Sequence, residues 1–136
     1  SRNHYPAELN EQRYSEYKLL PNMGLAGLEN IFRIGFLAES CGVPTIHYYF
    51  SWNGQEIIPM FDRQRVSDAG VFYYEETILF PSEHKLDANL ILKDIEEGEV
   101  IDDTAVDLEY KKTRKREKFI WDGKYARQLL EMKAID

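Results

Sequence analysis

The sequence predicts a mainly β protein: a single antiparallel meander sheet folded into a small sandwich or open barrel, with a short N-terminal helix allowed. Two hairpin signals are the main reason, because Trp52 runs into Asn53-Gly54 and Trp121 runs into Asp122-Gly123. These dipeptides tolerate the positive φ angles of a two-residue type I′ turn. An aromatic share of 13% supports the same fold class, since aromatic side chains fit a pleated, half-buried surface.

Length and composition indicate one domain, because 136 residues with 43% hydrophobic side chains can bury a single core. We assign residues 30–136 to this antiparallel β domain and residues 1–29 to an N-terminal arm or helix with a connector. Cys41 is the only cysteine, which excludes an intrachain disulfide. A net charge of −7 disfavours nucleic acid and anionic membrane surfaces as partners.

The amino end of the sequence, Ser1-Arg2-Asn3-His4, carries no hydrophobic signal region. No apolar run reaches the roughly 18 residues that a membrane-spanning helix needs, so we expect a soluble chain without a membrane span. The first residue is Ser1 rather than methionine. If a targeting segment has been removed from the native chain, a secreted or cell-envelope location is expected.

The N-terminal segment allows two interpretations. A helix would begin near Pro6 and end before Pro21, because proline is tolerated in the first turn and stops a helix from continuing. One face of this helix would hold Leu9, Arg13, Tyr17 and Leu20. The alternative is an extended arm laid on the domain, and residues 22–27 are a connector in both cases.

Alternating apolar residues and turn residues divide the following part of the chain into strands. These strands are expected at residues 30–39, 45–52, 55–60, 71–80 and 89–95. Pro59 should end its strand or place it at a sheet edge, because proline cannot donate a ladder hydrogen bond. The polar segments 62–70 and 82–88 are predicted to be loops.

Charge organises the last third of the chain, because residues 94–109 contain acidic and no basic side chains whereas residues 111–118 are almost entirely basic. The simplest interpretation is that the two segments pair across neighbouring strands or mark solvated edges. An anion or nucleic-acid patch flanked by Tyr110 and Phe119 is one alternative for residues 111–118, and a localisation signal is another.

The apolar pattern changes parity in the same region. Val106, Leu108 and Tyr110 occupy even positions, whereas Phe119 and Trp121 occupy odd ones. One uninterrupted strand cannot place both sets on the same face of a sheet. We therefore expect a bulge or loop within residues 111–118.

No metal, cofactor or catalytic site is predicted. The spacing of residues 94–99 does not match a calcium-binding loop, because glycine falls at the fifth rather than the sixth position. The chain also lacks a phosphate-binding glycine loop, a nucleophile elbow and a zinc signature. His47, His84 and Cys41 are the best catalytic candidates, but isolated residues of these types more often have structural roles.

Aromatic side chains supply the candidate ligand-binding residues, because rigid rings bury a large area with little loss of rotamer freedom. The candidates are Trp52, Trp121, Tyr49 and Tyr74. The adjacent pairs Tyr48-Tyr49 and Tyr73-Tyr74 should each place one ring on either side of a strand. Packing of both tryptophans across their hairpins is the alternative.

The expected function is therefore a non-catalytic binding module that recognises a protein or an extracellular polymer through sheet-face aromatics and an acidic rim. A small enzyme whose site forms only in three dimensions is one alternative. A structural subunit that assembles through sheet edges is the other. The hairpins resemble elements of bacterial extracellular β-repeat and propeller-type proteins, but two four-stranded units are too few to close a propeller.

Overall fold

The computed structural model describes residues 13–38, 42–68, 70–102 and 109–130, with the backbone alone at residues 13, 14, 102, 109 and 110. These residues form an antiparallel meander in which each strand pairs with the next along the chain, and the sheet is not closed into a barrel. The strands are β1 (Arg13–Leu20), β2 (Asn30–Ala38), β3 (Thr45–Trp52), β4 (Ile57–Asp68), β5 (Phe72–Leu79), β6 (Leu90–Asp102), β7 (Glu109–Trp121) and β8 (Ala126–Leu129). The mainly β class and the meander are thus confirmed.

The N-terminal helix is wrong for Arg13–Leu20, which forms strand β1 and pairs with β2 without a register shift. Side chains in this segment alternate with a period of two, since Glu16 and Lys18 lie on one face and Tyr17 and Leu19 on the other. Pairing with β2 places the two sets of side chains on opposite faces of the sheet, whereas a helix would not separate them in this way. Residues 1–12, including Pro6 and Leu9, lie outside the described residues.

Strand β4 continues where a loop was expected at residues 62–70. Pro59 lies inside this strand opposite Phe50, next to a register shift at Tyr49/Phe50. Proline is tolerated at such an irregularity because the ladder is already interrupted there. The polar residues that follow pair with β3 and then with β5, and so extend the strand to Asp68.

Acidic and basic side chains pair across β6 and β7, as the simplest interpretation of the charge pattern predicted. Asp94 lies opposite Arg116, Glu96 opposite Arg114, and Glu99 opposite Lys111. This pairing extends β6 to Asp102, well past the predicted end at residue 95. The bulge expected within residues 111–118 is wrong, because the register shift of this pair lies in β6 between Val100 and Asp102.

The two hairpins reverse the chain as predicted, but not through type I′ turns. Gly54 and Gly123 have positive φ angles of 93° and 98°, whereas Asn53 and Asp122 do not. Instead the Asn53 and Asp122 side chains accept hydrogen bonds from the two backbone N–H groups that follow the glycine. The side-chain oxygen thus holds a turn in which only the glycine needs a positive φ angle.

A short helix, α1 (Pro81–His84), opens the segment between β5 and β6, where a loop was expected. Pro81 stands in its first turn, and the Glu83 carboxylate accepts a hydrogen bond from the Phe80 N–H at 3.0 Å. Lys85 closes the helix in the left-handed conformation, with φ at 57°. The local sequence is therefore sufficient for one capped turn.

The core lies between the first half of the curved sheet, β1 to β4, and the second half, β5 to β8, near the end that carries the Asn53-Gly54 and Asp122-Gly123 hairpins. It draws residues from β2 to β7 and from the segment between β1 and β2. Its buried members are Leu25, Leu28, Ile31, Tyr49, Met60, Ile78, Phe80, Ile91, Phe119 and Trp121. Rings from both halves meet there, because Tyr49 and Phe80 lie 6.0 Å apart and Phe61 and Phe119 lie 5.3 Å apart, between centroids.

Candidate functional site

The first four strands carry apolar side chains on both faces. In β2, Ile31 points into the core and is fully buried, whereas its neighbour Phe32 points to the outside and is half-buried. The same alternation in β3 buries Tyr49 and leaves Tyr48 exposed. The tyrosine pair 48–49 therefore lies on opposite sides of the strand, as predicted.

The outward apolar side chains of β1 to β4 form a surface that we call the aromatic face. Cross-strand neighbours build it up, since Tyr17 lies opposite Ile34, and Phe32 lies opposite Phe50. Its members are Tyr17, Leu19, Phe32, Ile34, Phe36, Ile46, Tyr48, Phe50, Trp52 and Ile57. Tyr17, Leu19 and Ile57 are 76%, 59% and 57% exposed, so they give this face a large water-accessible apolar area.

The aromatic face is shaped as well as apolar. A cavity of 290 Å³ opens on it and is lined by Tyr17, Phe32, Ile34, Phe50 and Ile57, together with parts of Lys18 and Arg33. Beside it, the rings of Phe36 and Tyr48 meet edge to face with centroids 5.9 Å apart. Ring packing of this kind fixes side-chain positions before a partner arrives, which lowers the entropy lost on binding.

The corresponding outward face of β5 to β7 is charged. The Arg116 guanidinium donates two hydrogen bonds to Asp94, at 2.6 and 2.9 Å, and these bonds lower the pKa of the Asp94 carboxyl. Arg114 donates to Glu96 at 2.6 Å and likewise lowers the pKa of that carboxyl. Both carboxylates thus have a cationic partner, and the two outward surfaces of the sheet differ sharply in chemistry.

The four predicted ligand-binding residues are not brought together. Trp52 is half-buried and belongs to the aromatic face. Trp121 and Tyr49 are 2% and 4% exposed and lie in the core, where burial leaves no ring surface for a ligand. The Trp121 indole N–H donates to the Ala26 carbonyl at 2.7 Å. Of these three residues, only Trp52 therefore lies in the candidate site.

Tyr74 lies where the sheet opens between β4 and β5, whose ladder pairs only Arg65–Asp68 with Phe72–Glu75. Its hydroxyl donates a hydrogen bond to the buried Glu76 carboxylate. Burial is the larger cause that raises the pKa of Tyr74, and this hydrogen bond is the second. Glu76 also accepts a hydrogen bond from the Gln64 N–H at 2.8 Å and lies 3.5 Å from the Lys93 ammonium. Tyr74 is thus part of a polar cluster that fills the opening.

His47, one of the three catalytic candidates, is held in a polar row across β1 to β4. The Arg63 guanidinium donates to His47 Nδ1 at 3.3 Å, so Nε2 carries the proton and donates to Glu16 Oε1 at 3.0 Å. Burial lowers the pKa of the ring, and the Glu16 hydrogen bond opposes this effect. At 5% exposure the imidazole is closed off from a substrate.

His84, another of the catalytic candidates, lies in α1. His84 Nδ1 accepts a hydrogen bond from the Leu86 N–H at 2.9 Å, and its Nε2 donates one to the Leu90 carbonyl at 2.7 Å. Both ring nitrogens are therefore hydrogen-bonded to the backbone that follows α1. Cys41 lies outside the described residues. Within the described part of the chain, no group of three or more His, Cys, Asp or Glu side chains is placed to hold a metal ion.

Sequence reasoning missed most of the aromatic face, including Tyr17, Phe32, Phe50 and Ile57. A signal for it exists in β2 and β3, because apolar residues occupy both odd and even positions there. A strand that is apolar on both faces must bury both or expose one. The sequence does not say which set faces the core.

Comparison of the chain with protein-family models, with curated proteins and with solved structures finds no match. Among the described residues, none of the helical segments has the length and apolar character required to cross a membrane. The candidate site therefore rests on the geometry of the aromatic face.

Proposed function

We propose that this chain is a non-catalytic module that binds another protein through the aromatic face. The observation that supports this proposal is the exposure of Tyr17, Leu19 and Ile57 on a surface continuous with half-buried rings. Large contiguous apolar patches are uncommon on isolated soluble proteins and usually mark an interaction site. Covering this surface would release the water that it now orders.

The chemistry of the face favours a protein over a sugar polymer. A sugar is oriented by hydrogen-bonding side chains placed beside a flat ring. Here the rings alternate instead with aliphatic Leu19, Ile34 and Ile57, and the cavity between them is lined largely by hydrocarbon. The matching partner is a protein segment that presents apolar side chains to this cavity, and its polar backbone would be satisfied within its own secondary structure.

The test compares two double variants of the 136-residue chain. Tyr48→Ser/Ile57→Asp changes the aromatic face at exposed positions away from β1, and Leu86→Asp/Ile120→Ser removes exposed apolar groups elsewhere. Proteins retained by the immobilised wild type are identified, purified and titrated against all three chains. We expect the face variant to lose at least about 10-fold in affinity, as truncation at an interface centre commonly does, and the control to bind like the wild type.

Two outcomes contradict the proposal. One is that every purified partner binds the face variant as tightly as the wild type, which would place the interaction elsewhere. The other comes from a glycan array, where strong wild-type binding that the face variant loses would make the occupant a sugar polymer. Far-UV circular dichroism of each variant checks that the sheet is intact.

A further inference from the structure

Strand β1 is a long, regular sheet edge. Among the described strands it pairs with β2 alone, over eight residues and without a register shift. The opposite edge, β8, has only four residues. Natural sheets protect their edges with short strands, prolines, bulges or charged side chains, because an open edge is a template for pairing with another chain. β8 is protected by its shortness. β1 contains neither a proline nor a bulge, and its inward charges Glu16 and Lys18 are of opposite sign, so they repel a second copy in some registers and attract it in another.

The side chains of β1 are complementary to a second copy of the same strand. In an antiparallel pair, side chains directly opposite each other share a face. If Tyr17 lies opposite Tyr17 of a second copy, then Glu16 lies opposite Lys18, and Lys18 opposite Glu16. The two-fold axis thus creates two ion pairs on the inward face and one pair of aromatic rings on the outward face.

The same charges disfavour the neighbouring registers. If the two-fold axis moves by one residue toward the start of β1, Glu16 lies opposite Glu16 of the second copy. If it moves by one residue toward the end of β1, Lys18 lies opposite Lys18. Like charges directly opposite each other destabilise a strand pair. Both side chains are accessible for this pairing, since Lys18 is exposed and the Glu16 side chain is 41% exposed while also contacting His47.

We propose that this protein forms a symmetric dimer in which two β1 strands pair antiparallel about Tyr17, so that the two sheets become one continuous sheet. The occupant of the edge is therefore a second copy of this chain. The pairing goes beyond the proposed function, and it leaves the aromatic face open because outward side chains stay outward across the new strand pair. The two aromatic faces would then adjoin across the axis.

The first test is the molar mass of the full 136-residue chain by sedimentation equilibrium. We expect a dimer for the wild type. Lys18→Glu places two carboxylates opposite each other at both ion pairs, and we expect it to weaken dimerisation at least about 10-fold. Lys112→Glu makes the same charge change on β7, which has a neighbouring strand on each side and lies away from β1, so it should leave the dimer unchanged.

The second test locates the two-fold axis. In a Cys41→Ser background, Tyr17→Cys should form an intermolecular disulfide under mild oxidation, because opposite Cβ atoms in a strand pair lie about 4.5–5.5 Å apart. Ile57→Cys, which is exposed on β4, should not cross-link. This pair of variants reports on the axis even if Lys18→Glu lowers stability.

A monomer at all concentrations overturns the proposal. So does a dimer that survives Lys18→Glu and fails to cross-link through Tyr17→Cys, which would mean another interface. The result is separable from that for the proposed function, because Tyr48→Ser/Ile57→Asp changes β3 and β4 rather than the β1 edge and should keep the dimer even where it loses the partner protein.

Discussion

At the scale of single residues, His47 shows how a buried polar group is accommodated in this sheet. Gly35 lies directly opposite it on β2, and a side chain at that position would come within 2.7 Å of the imidazole. The ring fills the space that glycine leaves. With Arg63 on one nitrogen and Glu16 on the other, both ring nitrogens are hydrogen-bonded, as burial requires.

This arrangement predicts a pH dependence of stability. Burial lowers the pKa of His47 below 6.5, so at mildly acidic pH the unfolded chain binds a proton that the folded chain does not. The contribution of His47 to the free energy of unfolding is therefore complete above pH 6.5 and is lost as the pH falls through the folded-state pKa. Urea unfolding between about pH 7.5 and 5.5 should show this loss for the wild type.

The control is His47→Gln, which keeps a hydrogen-bonding side chain but cannot titrate. Its free energy of unfolding should change less than that of the wild type over the same pH range, whatever its absolute value. Asp94 and Glu96 have lowered pKa values and titrate at more acidic pH, so they do not obscure the comparison. Parallel profiles for the two proteins would show that His47 is not responsible.

At the scale of elements, the segment between β1 and β2 joins the two halves of the molecule. Its backbone touches the second hairpin, since a Cβ atom on Gly27 would lie 2.5 Å from the Gly123 carbonyl oxygen. The Trp121 indole N–H donates a hydrogen bond to the carbonyl of Ala26, the residue before Gly27. On its other side, the Ser82 N–H of α1 donates to the Met23 carbonyl at 3.1 Å.

Gly27→Ala should therefore destabilise the protein more than a matched glycine substitution. Gly27 and Gly42 have similar positive φ angles of 87° and 80°, but nothing lies within 4 Å of a Cβ atom on Gly42. Gly42→Ala should cost about 1–2 kcal/mol from backbone strain, and Gly27→Ala a further ~1–3 kcal/mol from the clash. Urea unfolding of both variants measures the difference, and equal losses would contradict the close contact.

Elements with local signals were predictable from the sequence, and elements set by distant partners were not. Strand β3 matches its predicted bounds, and the turn residues Asn53-Gly54 mark its end. The length of β6 depends on basic residues of β7, and the continuation of β4 past Pro59 depends on β3 and β5. Such pairings involve residues far apart in the chain, and local propensity does not encode them.

The candidate site was predicted only in its type. Sheet-face aromatics were expected, and Trp52 belongs to the aromatic face, but Tyr49 and Trp121 point into the core. A change of one position along a strand moves a side chain to the other face, so choosing Tyr49 rather than Tyr48 reverses its role. Only the second half of the sheet, packed against the first, decides which face is buried.

At the scale of the whole molecule, the two halves share one core and should unfold together. Rings of β3 and β4 contact Phe80 and Phe119 of the second half, so neither half buries its apolar side chains alone. Trp52→Phe and Trp121→Phe each leave one tryptophan, in the second and first half respectively. In each variant, the urea midpoint from fluorescence should coincide with that from far-UV circular dichroism.

Separate midpoints in either variant would mean that one half melts before the other. Comparison within each variant removes the effect of the substitution on stability, which matters for Trp121 because its indole N–H is bonded in the core.

The bracing of the β1–β2 segment against the second hairpin also bears on how the chain matures during synthesis. Leu25 and Leu28 reach their buried positions beside Trp121, and Gly27 rests on Gly123. While residue 123 of a nascent chain is still inside the ribosomal exit tunnel, the second hairpin cannot fold and the two leucines have nothing to pack against. The interior can therefore close only after this hairpin has left the tunnel, and a ribosome-bound chain that has not reached that point leaves these leucines exposed.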